Sequence, residues 1–153
     1  MILNENLLRN ALGYIGLREI PGPDSEPIII DMVHELFPDW QDDTTIAWCS
    51  IFMHQIARNE CAENPADLNE PLPGMARSWL NVGEVVDNPM PGDVCILWRG
   101  SPNGPKGHVG LYCNTVDRHV HLLGGNQSNA VKVSAYAAHR VLGYRRLRPL
   151  QPM

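Results

Sequence analysis

Residues 94–123 read VCILWRGSPNGPKGHVGLYCNTVDRHVHLL, three short apolar runs separated by segments rich in turn-forming residues. Runs of this length, containing β-branched and aromatic residues and bounded by glycine, proline or asparagine, are typical of antiparallel strands. Two further runs, at 131–133 and 141–146, have the same character. The sequence after residue 83 therefore predicts an antiparallel sheet.

The sequence before residue 83 shows helical periodicity instead, with apolar residues recurring every three or four positions. The predicted helices span residues 3–15, 27–37, 48–61 and 75–82. Helices followed by strands predict an α+β fold in which the helices pack on one face of the sheet. At this length we expect one domain, residues 1–153, with a helical part at 1–82 and a sheet part at 83–148.

Composition and charge exclude several classes of protein. Hydrophobic residues make up 44% and charged residues 19% of the 153, which is globular rather than disordered. No apolar stretch approaches the roughly 18 residues of a membrane span, and the first residues lack a signal-peptide pattern. The net charge of −5 argues against nucleic acid as a partner. The charge is uneven, however: residues 1–70 carry 13 acidic and 3 basic side chains, and residues 71–153 carry 4 acidic and 9 basic ones.

The four cysteines have spacings that match no zinc site, and they are too few for a disulfide framework. Cys49 differs from Cys61, Cys95 and Cys113 because it stands where a polar loop ends and an apolar helix begins. The N–H groups of a first helical turn lower a thiol pKa. Cys49 is therefore predicted to be a thiolate nucleophile that iodoacetamide labels fastest, and the alternative is a small buried side chain. Cys95 and Cys113 are expected to face each other, unbonded, on neighbouring strands.

Two more residues complete a catalytic hypothesis. His108 opens a predicted strand after the glycine-containing loop 101–107, where it could serve Cys49 as general base. Asn126 closes the next strand, and antiparallel neighbours bring the start of one strand to the end of the other. Asn126 is expected to accept the imidazole N–H and orient the ring, with Gln127 as the alternative for this role. A solvated turn histidine and a plain Gly-Gly-Asn turn are the structural alternatives.

The order of these candidate residues is papain-like: a cysteine at a helix start, then a histidine at a strand start, then a polar residue at the end of the next strand. The chain resembles the papain-like cysteine amidases of the CHAP and NlpC-type superfamily, which cleave peptidoglycan peptides. Within it, the resemblance is strongest to the small amidases found as phage lysins and secreted antibacterial effectors. The segments that carry it, in chain order, are 16–23, 45–50, 76–80, 91–93, 107–110, 124–128 and 142–146.

The resemblance implies a papain-like fold with its nucleophile at Cys49, its base at His108 and its orienting residue in the turn containing Asn126. It implies thiolate attack on an amide carbonyl, an acyl-enzyme and hydrolysis by water. No metal or organic cofactor is expected. The backbone N–H of Cys49 would be one oxyanion donor.

Four residues are expected to bind substrate: Glu19, Trp48, Gly107 and Gln127. Glu19 lies in a loop that matches the family, and an ion pair with an arginine is its alternative role. Trp48 is more often a packing residue than a sugar platform. Gly107 would allow close approach of substrate to the backbone.

The resemblance makes the peptide stem or cross-link of bacterial peptidoglycan the expected substrate. The chain would be made in the cytoplasm and reach the cell wall, in the periplasm of a target cell or host, by a non-Sec route. An injected effector is slightly favoured over a phage lysin, and it would imply a cognate immunity protein that inhibits it. No nucleic-acid partner and no integral membrane segment are expected. A cysteine protease or deamidase acting on a protein, and an inactive muropeptide-binding module, stay open as alternatives.

Overall fold

The computed structural model describes residues 2–19, 27–36 and 48–150 of the chain. Three α-helices precede a sheet of six strands. The helices are α1 (Ile2–Leu12), α2 (Pro27–Leu36) and α3 (Cys49–Asn59), and the strands are β1 (Glu84–Val86), β2 (Val94–Trp98), β3 (Gly107–Val116), β4 (His119–Gln127), β5 (Ala130–Ala137) and β6 (Val141–Arg146). Short 3-10 helices cover Ala76–Asn81 and Ala138–Arg140. None of the helices in these ranges is both long and apolar enough to cross a membrane.

All strand pairs are antiparallel, in the spatial order β1-β6-β2-β3-β4-β5, and the predicted α+β class is confirmed. Three differences from the sequence prediction concern local geometry. The first helix ends at Leu12 because the N–H groups of residues 13–15 bond three residues back, as in a tightened last turn. The fourth predicted helix is a 3-10 helix. The edge strand β1 has only three residues, too few for its pattern to be recognised in the sequence. The predicted loop 38–46 falls outside the described residues.

Helix α3 packs on one face of the sheet, against β3 and β4. Phe52 and Ile56 of α3 share a core there with Val109 and Leu111 of β3. A second, smaller core on the opposite face contains, among others, Leu97, Leu122 and Tyr112. Burial of these side chains stabilises the sheet from both sides, at roughly 25 cal/mol per Å² of apolar surface.

The two cores correct the expected placement of two cysteines. Cys95 belongs to the smaller core and lies opposite Gly110 in the β2–β3 register, whereas Cys113 packs against the larger core. The two thiols therefore lie on opposite faces of the sheet, because successive side chains of a strand alternate between faces.

Helix α1 is fixed to the sheet by a buried polar cluster. Asn4 lies inside the helix, and its side-chain amide donates to the carboxylate of Asp93 at 2.9 Å. Asp93 also receives two bonds from the Arg146 guanidinium, at 2.9 and 2.8 Å. At Gly92, with φ of +92°, a Cβ atom would lie 2.6 Å from the Asn4 carbonyl oxygen. Glycine therefore allows the turn before β2 to reach the helix.

Candidate active site

Cys49 is the first residue of α3, as its sequence position indicated, and it is 2% exposed. Burial raises the pKa of its thiol. The backbone N–H groups of Val109, Ser50 and Cys49 itself, and the Arg99 guanidinium, lower the pKa by less. The helix start thus acts in the predicted direction, but desolvation of the charged form is the larger effect. Burial therefore favours the neutral thiol in this structure, and the thiolate nucleophile at Cys49 stays a prediction.

His108 is the second residue of β3, and its ring is fully buried. Its Nε2 lies 3.0 Å from Oε1 of Gln127. The Gln127 amide nitrogen donates to the carbonyls of Leu122 and Lys132, so its Oε1 is the acceptor. The proton of the neutral imidazole therefore sits on Nε2, and Nδ1 keeps the lone pair that a general base uses. The Arg99 guanidinium, 3.2 Å from Nδ1, fits this tautomer because it can only donate.

Gln127, rather than Asn126, bonds to His108 because of a β-bulge. Between Gly124 and Gln127 the register of β4 against β5 shifts by one residue. Asn126 takes a left-handed conformation there, with φ of +55°. One extra residue reverses the alternation of side chains, so the next residue takes the face that Asn126 would have held. The predicted third residue is thereby corrected to its alternative.

Burial lowers the pKa of His108 to about 4, the hydrogen bond that the ring donates to Gln127 Oε1 raises it, and the charges of Arg99 and Arg140 lower it further. The ring is therefore neutral near pH 7. A neutral imidazole has an unprotonated nitrogen, which a general base needs, although in this structure that nitrogen accepts from Arg99.

The structure describes both Cys49 and His108, and the hydrogen bonds of the His108 ring go to Arg99, Gln127 and Tyr136 rather than to Cys49. The N–H that favours the Cys49 thiolate belongs to Val109, the residue that follows His108. Arg99 acts on both groups, since it donates to Nδ1 and lowers the thiol pKa. The Val109 N–H and Arg99 thus connect the thiol to the strand that carries His108, and the guanidinium is bonded to the base nitrogen of the ring.

The predicted substrate-binding residues have structural partners. The indole N–H of Trp48 donates to the Glu19 carboxylate, and Trp48 is buried. A Cβ atom on Gly125 would lie 2.7 Å from the Trp48 ring, which places that ring against β4 as a packing residue. At Gly107 a Cβ would lie 2.8 Å from the Leu97 carbonyl oxygen, so this glycine serves close strand pairing.

The site includes two residues that the sequence pattern does not single out. Arg99 follows β2 directly, and the β2–β3 hairpin, in which Trp98 opposes Gly107, carries it to His108. Tyr136 of β5 places its hydroxyl 3.2 Å from His108 Nε2. Burial raises the pKa of Tyr136 to about 12, and the nearby Arg99 guanidinium lowers it by less. The position of Arg99 after a strand that pairs with β3 was a usable signal, whereas nothing local marks Tyr136.

No group of three histidine, cysteine or acidic side chains could hold a metal ion in the part of the chain that the structure describes. A shallow surface pocket of about 310 Å³ lies elsewhere, lined by residues that include Glu70, Leu72 and Arg77. Neither Cys49 nor His108 lines it. The chemistry available at the site is therefore that of the buried thiol, the imidazole and the surrounding polar side chains.

Comparison with known proteins adds no relative: no family model, curated protein or solved structure matches the chain. Any function has to be argued from the geometry around Cys49 and His108.

Proposed function

We propose that this chain is a papain-like cysteine amidase that hydrolyses amide bonds in the peptide stem or cross-link of bacterial peptidoglycan. The observation that carries the proposal is the His108 ring: Gln127 accepts its Nε2–H at 3.0 Å, which leaves Nδ1 as the base, and the N–H of the next residue, Val109, bonds to Cys49, the first residue of a helix. A cysteine, a histidine and an orienting amide are the three parts of a Cys-His-Asn type site. The choice of peptidoglycan rests on the sequence resemblance alone.

In the proposed mechanism the Cys49 thiol passes its proton to His108 Nδ1 as the sulfur attacks the amide carbonyl carbon. The tetrahedral intermediate then collapses, the C–N bond breaks, and the imidazolium gives its proton to the leaving amine. Water, deprotonated by Nδ1, next attacks the thioester carbonyl. The products are a free carboxylic acid and the regenerated thiol.

The start of α3 supplies the electrostatic part of this mechanism. The N–H groups of Cys49 and Ser50 lie close enough to the sulfur to favour its charged form. The same first-turn donors, at the positive end of the helix dipole, are suited to stabilise the oxyanion of the tetrahedral intermediate. Gln127 keeps the ring oriented through both proton transfers.

Digestion of isolated peptidoglycan, followed by mass analysis of the products, tests the proposal. Wild-type protein and a Cys61→Ala variant, which alters an exposed cysteine, are expected to release muropeptides. Cys49→Ala is expected to release none. The product masses identify the bond that is cut. Failure of the wild type to create new amine and carboxyl ends would overturn the amidase proposal, and equal release by Cys49→Ala would remove Cys49 as the nucleophile.

The same experiment separates the other functions that the residues allow. A muropeptide-binding module would retain muropeptide without cutting it, and a protease or deamidase would act on protein substrates in parallel reactions. Action in the periplasm of a target cell or host, as an injected effector or a phage lysin, is part of the proposal. A cognate immunity protein would accompany the effector form.

A further inference from the structure

Two arginines flank the histidine of the candidate active site. The Nη2 of Arg99 lies 3.2 Å from His108 Nδ1. Arg140 is held by a bond from its Nε to the Trp98 carbonyl at 3.1 Å, with its guanidinium carbon 5.7 Å from the centre of the Tyr136 ring. Both arginines are half-buried, and both act electrostatically on His108. The site therefore presents two cations close to the His108 ring, one of them at its base nitrogen.

These two charges have no acidic partner in the described part of the chain. The ion pairs found there belong to three other arginines, Arg58, Arg146 and Arg148. A half-buried cation that lacks a counter-ion has lost part of its hydration, and one hydrogen bond from each arginine replaces only some of it, so the site favours a bound anion.

Other arginines among residues 71–153, the part of the chain with more basic than acidic side chains, use their donors differently. Arg77 donates to three backbone carbonyls, those of Ser101, Pro102 and Lys106. Arg145 donates to two carbonyls. In contrast, the terminal nitrogens of Arg140 meet no described acceptor, and Arg99 donates only to the imidazole. Among the half-buried arginines of residues 71–153, Arg99 and Arg140 thus make the fewest described hydrogen bonds, and both act on His108.

We infer that Arg99 and Arg140 form a carboxylate-binding subsite, which selects a peptide carrying a free carboxylate next to the amide that is cut. This inference rests on the proposed function, since it names the feature of the stem peptide that the site recognises. Guanidinium groups bind carboxylates through paired, charge-assisted hydrogen bonds. A neutral carboxamide at the same position would lose the charge that those bonds need.

The subsite also explains how the base becomes available. In the resting structure the Nδ1 lone pair accepts from Arg99, so it is not free to accept the thiol proton. A carboxylate is a stronger acceptor than an imidazole nitrogen for a guanidinium. Its arrival exchanges the Arg99–His108 bond for an Arg99–carboxylate bond and frees Nδ1 for Cys49. We therefore expect the carboxylate to affect kcat as well as KM.

The test uses synthetic stem tetrapeptides in which each carboxylate in turn is replaced by a carboxamide. Wild-type protein is expected to lose about 10- to 100-fold in kcat/KM for one replacement, the size of a charged hydrogen bond. Arg99→Gln and Arg140→Gln are expected to bring that ratio towards one. Arg118→Gln, which removes the same charge from an exposed position, keeps the wild-type ratio. An unchanged ratio in the first two variants overturns the inference, as does equal turnover of all peptides by the wild type.

A binding measurement separates this inference from the proposed function. Calorimetry with Cys49→Ala protein measures affinity for each tetrapeptide without turnover. If no peptide is cleaved, the amidase proposal fails, yet weaker binding of one carboxamide still supports the subsite. Equal affinity for all peptides overturns it. Arg99→Lys, which retains the charge, is expected to keep part of the preference, whereas a folding defect would reduce the affinity for every peptide equally.

Discussion

The Nε2 of His108 and the Oε1 of Gln127 lie 3.0 Å apart, and this bond determines which nitrogen of the ring is the base. The Gln127 amide nitrogen is fixed by two backbone carbonyls, so the side chain cannot turn to offer a donor instead. Both residues are buried, and water does not compete for the bond. A buried amide thereby sets the tautomer of a buried histidine.

Replacement of Gln127 is the direct test of that relationship. Gln127→Ala is expected to lower kcat by about 10²- to 10⁴-fold, the usual contribution of a positioned acid–base group, because the ring loses its orientation. Gln127→Glu is expected to raise the pKa of His108, because a carboxylate favours imidazolium, and to move the acidic limb of the kcat profile upward. Initial rates between pH 4 and pH 9 provide both measurements.

Asn126→Gly is the matched control for these variants. Glycine accepts the φ of +55° at this position, so the bulge is retained and activity is expected to stay near the wild-type level. Loss of activity in Asn126→Gly together with a normal rate in Gln127→Ala would restore Asn126 as the orienting residue.

The candidate site was predictable where it depends on single elements. The start of a helix at Cys49 and of a strand near His108 follow from local periodicity. The orienting residue depends on a bulge that the β4–β5 register creates, whereas the sequence pattern favours Asn126 and offers Gln127 only as the alternative. Arg99 joins the site only because β2 and β3 form a hairpin. The pattern along a single strand does not show how neighbouring strands pair, so it does not show which residues the pairing brings together.

The reactivity of the four cysteines follows from their burial. Cys61 is exposed and is expected to react first with iodoacetamide at neutral pH. Burial raises the pKa of Cys95 to about 12 and also raises that of Cys49, so both are expected to react slowly. Peptide mass analysis over a time course gives the order, and Cys61→Ser should remove the fast phase. Faster labelling of Cys49 than of Cys61 would show that the site opens in solution and favours the thiolate.

The absence of a side chain at Gly125 allows α3 to pack closely against β4. A Cβ at this position would lie 2.7 Å from the Phe52 Cβ and from the Trp48 ring. Both contacts are buried, so Gly125→Ala is expected to destabilise the fold by about 1–3 kcal/mol. Urea unfolding followed by Trp fluorescence measures the change. Gly104→Ala, where the nearest atom is the movable Ser101 hydroxyl at 3.0 Å, is expected to change the unfolding free energy by less than about 0.5 kcal/mol.

The Asp93 carboxylate forms a second buried contact between the helices and the sheet. It is fully buried and receives bonds from Asn4, Arg146 and the Met90 N–H. Asp93→Asn leaves Arg146 without its counter-ion, and we expect the unfolding free energy to fall by about 3–5 kcal/mol. Glu63→Gln, which breaks an ion pair with the largely exposed Arg148, should cost less than about 1 kcal/mol. Equal effects in the two variants would show that burial of the Asp93 pair contributes nothing.

Acid sensitivity of the fold follows from two buried histidines. Burial lowers the pKa of both His54 and His108 to about 4, below the roughly 6.5 of an unfolded histidine. Between these values the unfolded chain binds more protons than the folded one, so acidification in this range favours unfolding. Burial of the two neutral histidines costs no extra stability above pH 6.5. As the pH falls from 6.5 towards 4, the free energy of unfolding decreases, by on the order of 3 kcal/mol for each histidine.

Urea unfolding at pH 7 and at pH 4.5 measures this loss. The Asp67 pKa is lowered, chiefly by its hydrogen bond with Asn64, so its contribution is lost below its ordinary value of 3.8, outside this window. His54→Gln should remove about half of the pH dependence, since one of the two titrating groups is gone. His119→Gln, at an exposed position, should leave it unchanged. Equal wild-type stability at both pH values would mean that His54 and His108 are protonated within the folded protein at little cost, and their neutral burial would then be wrong.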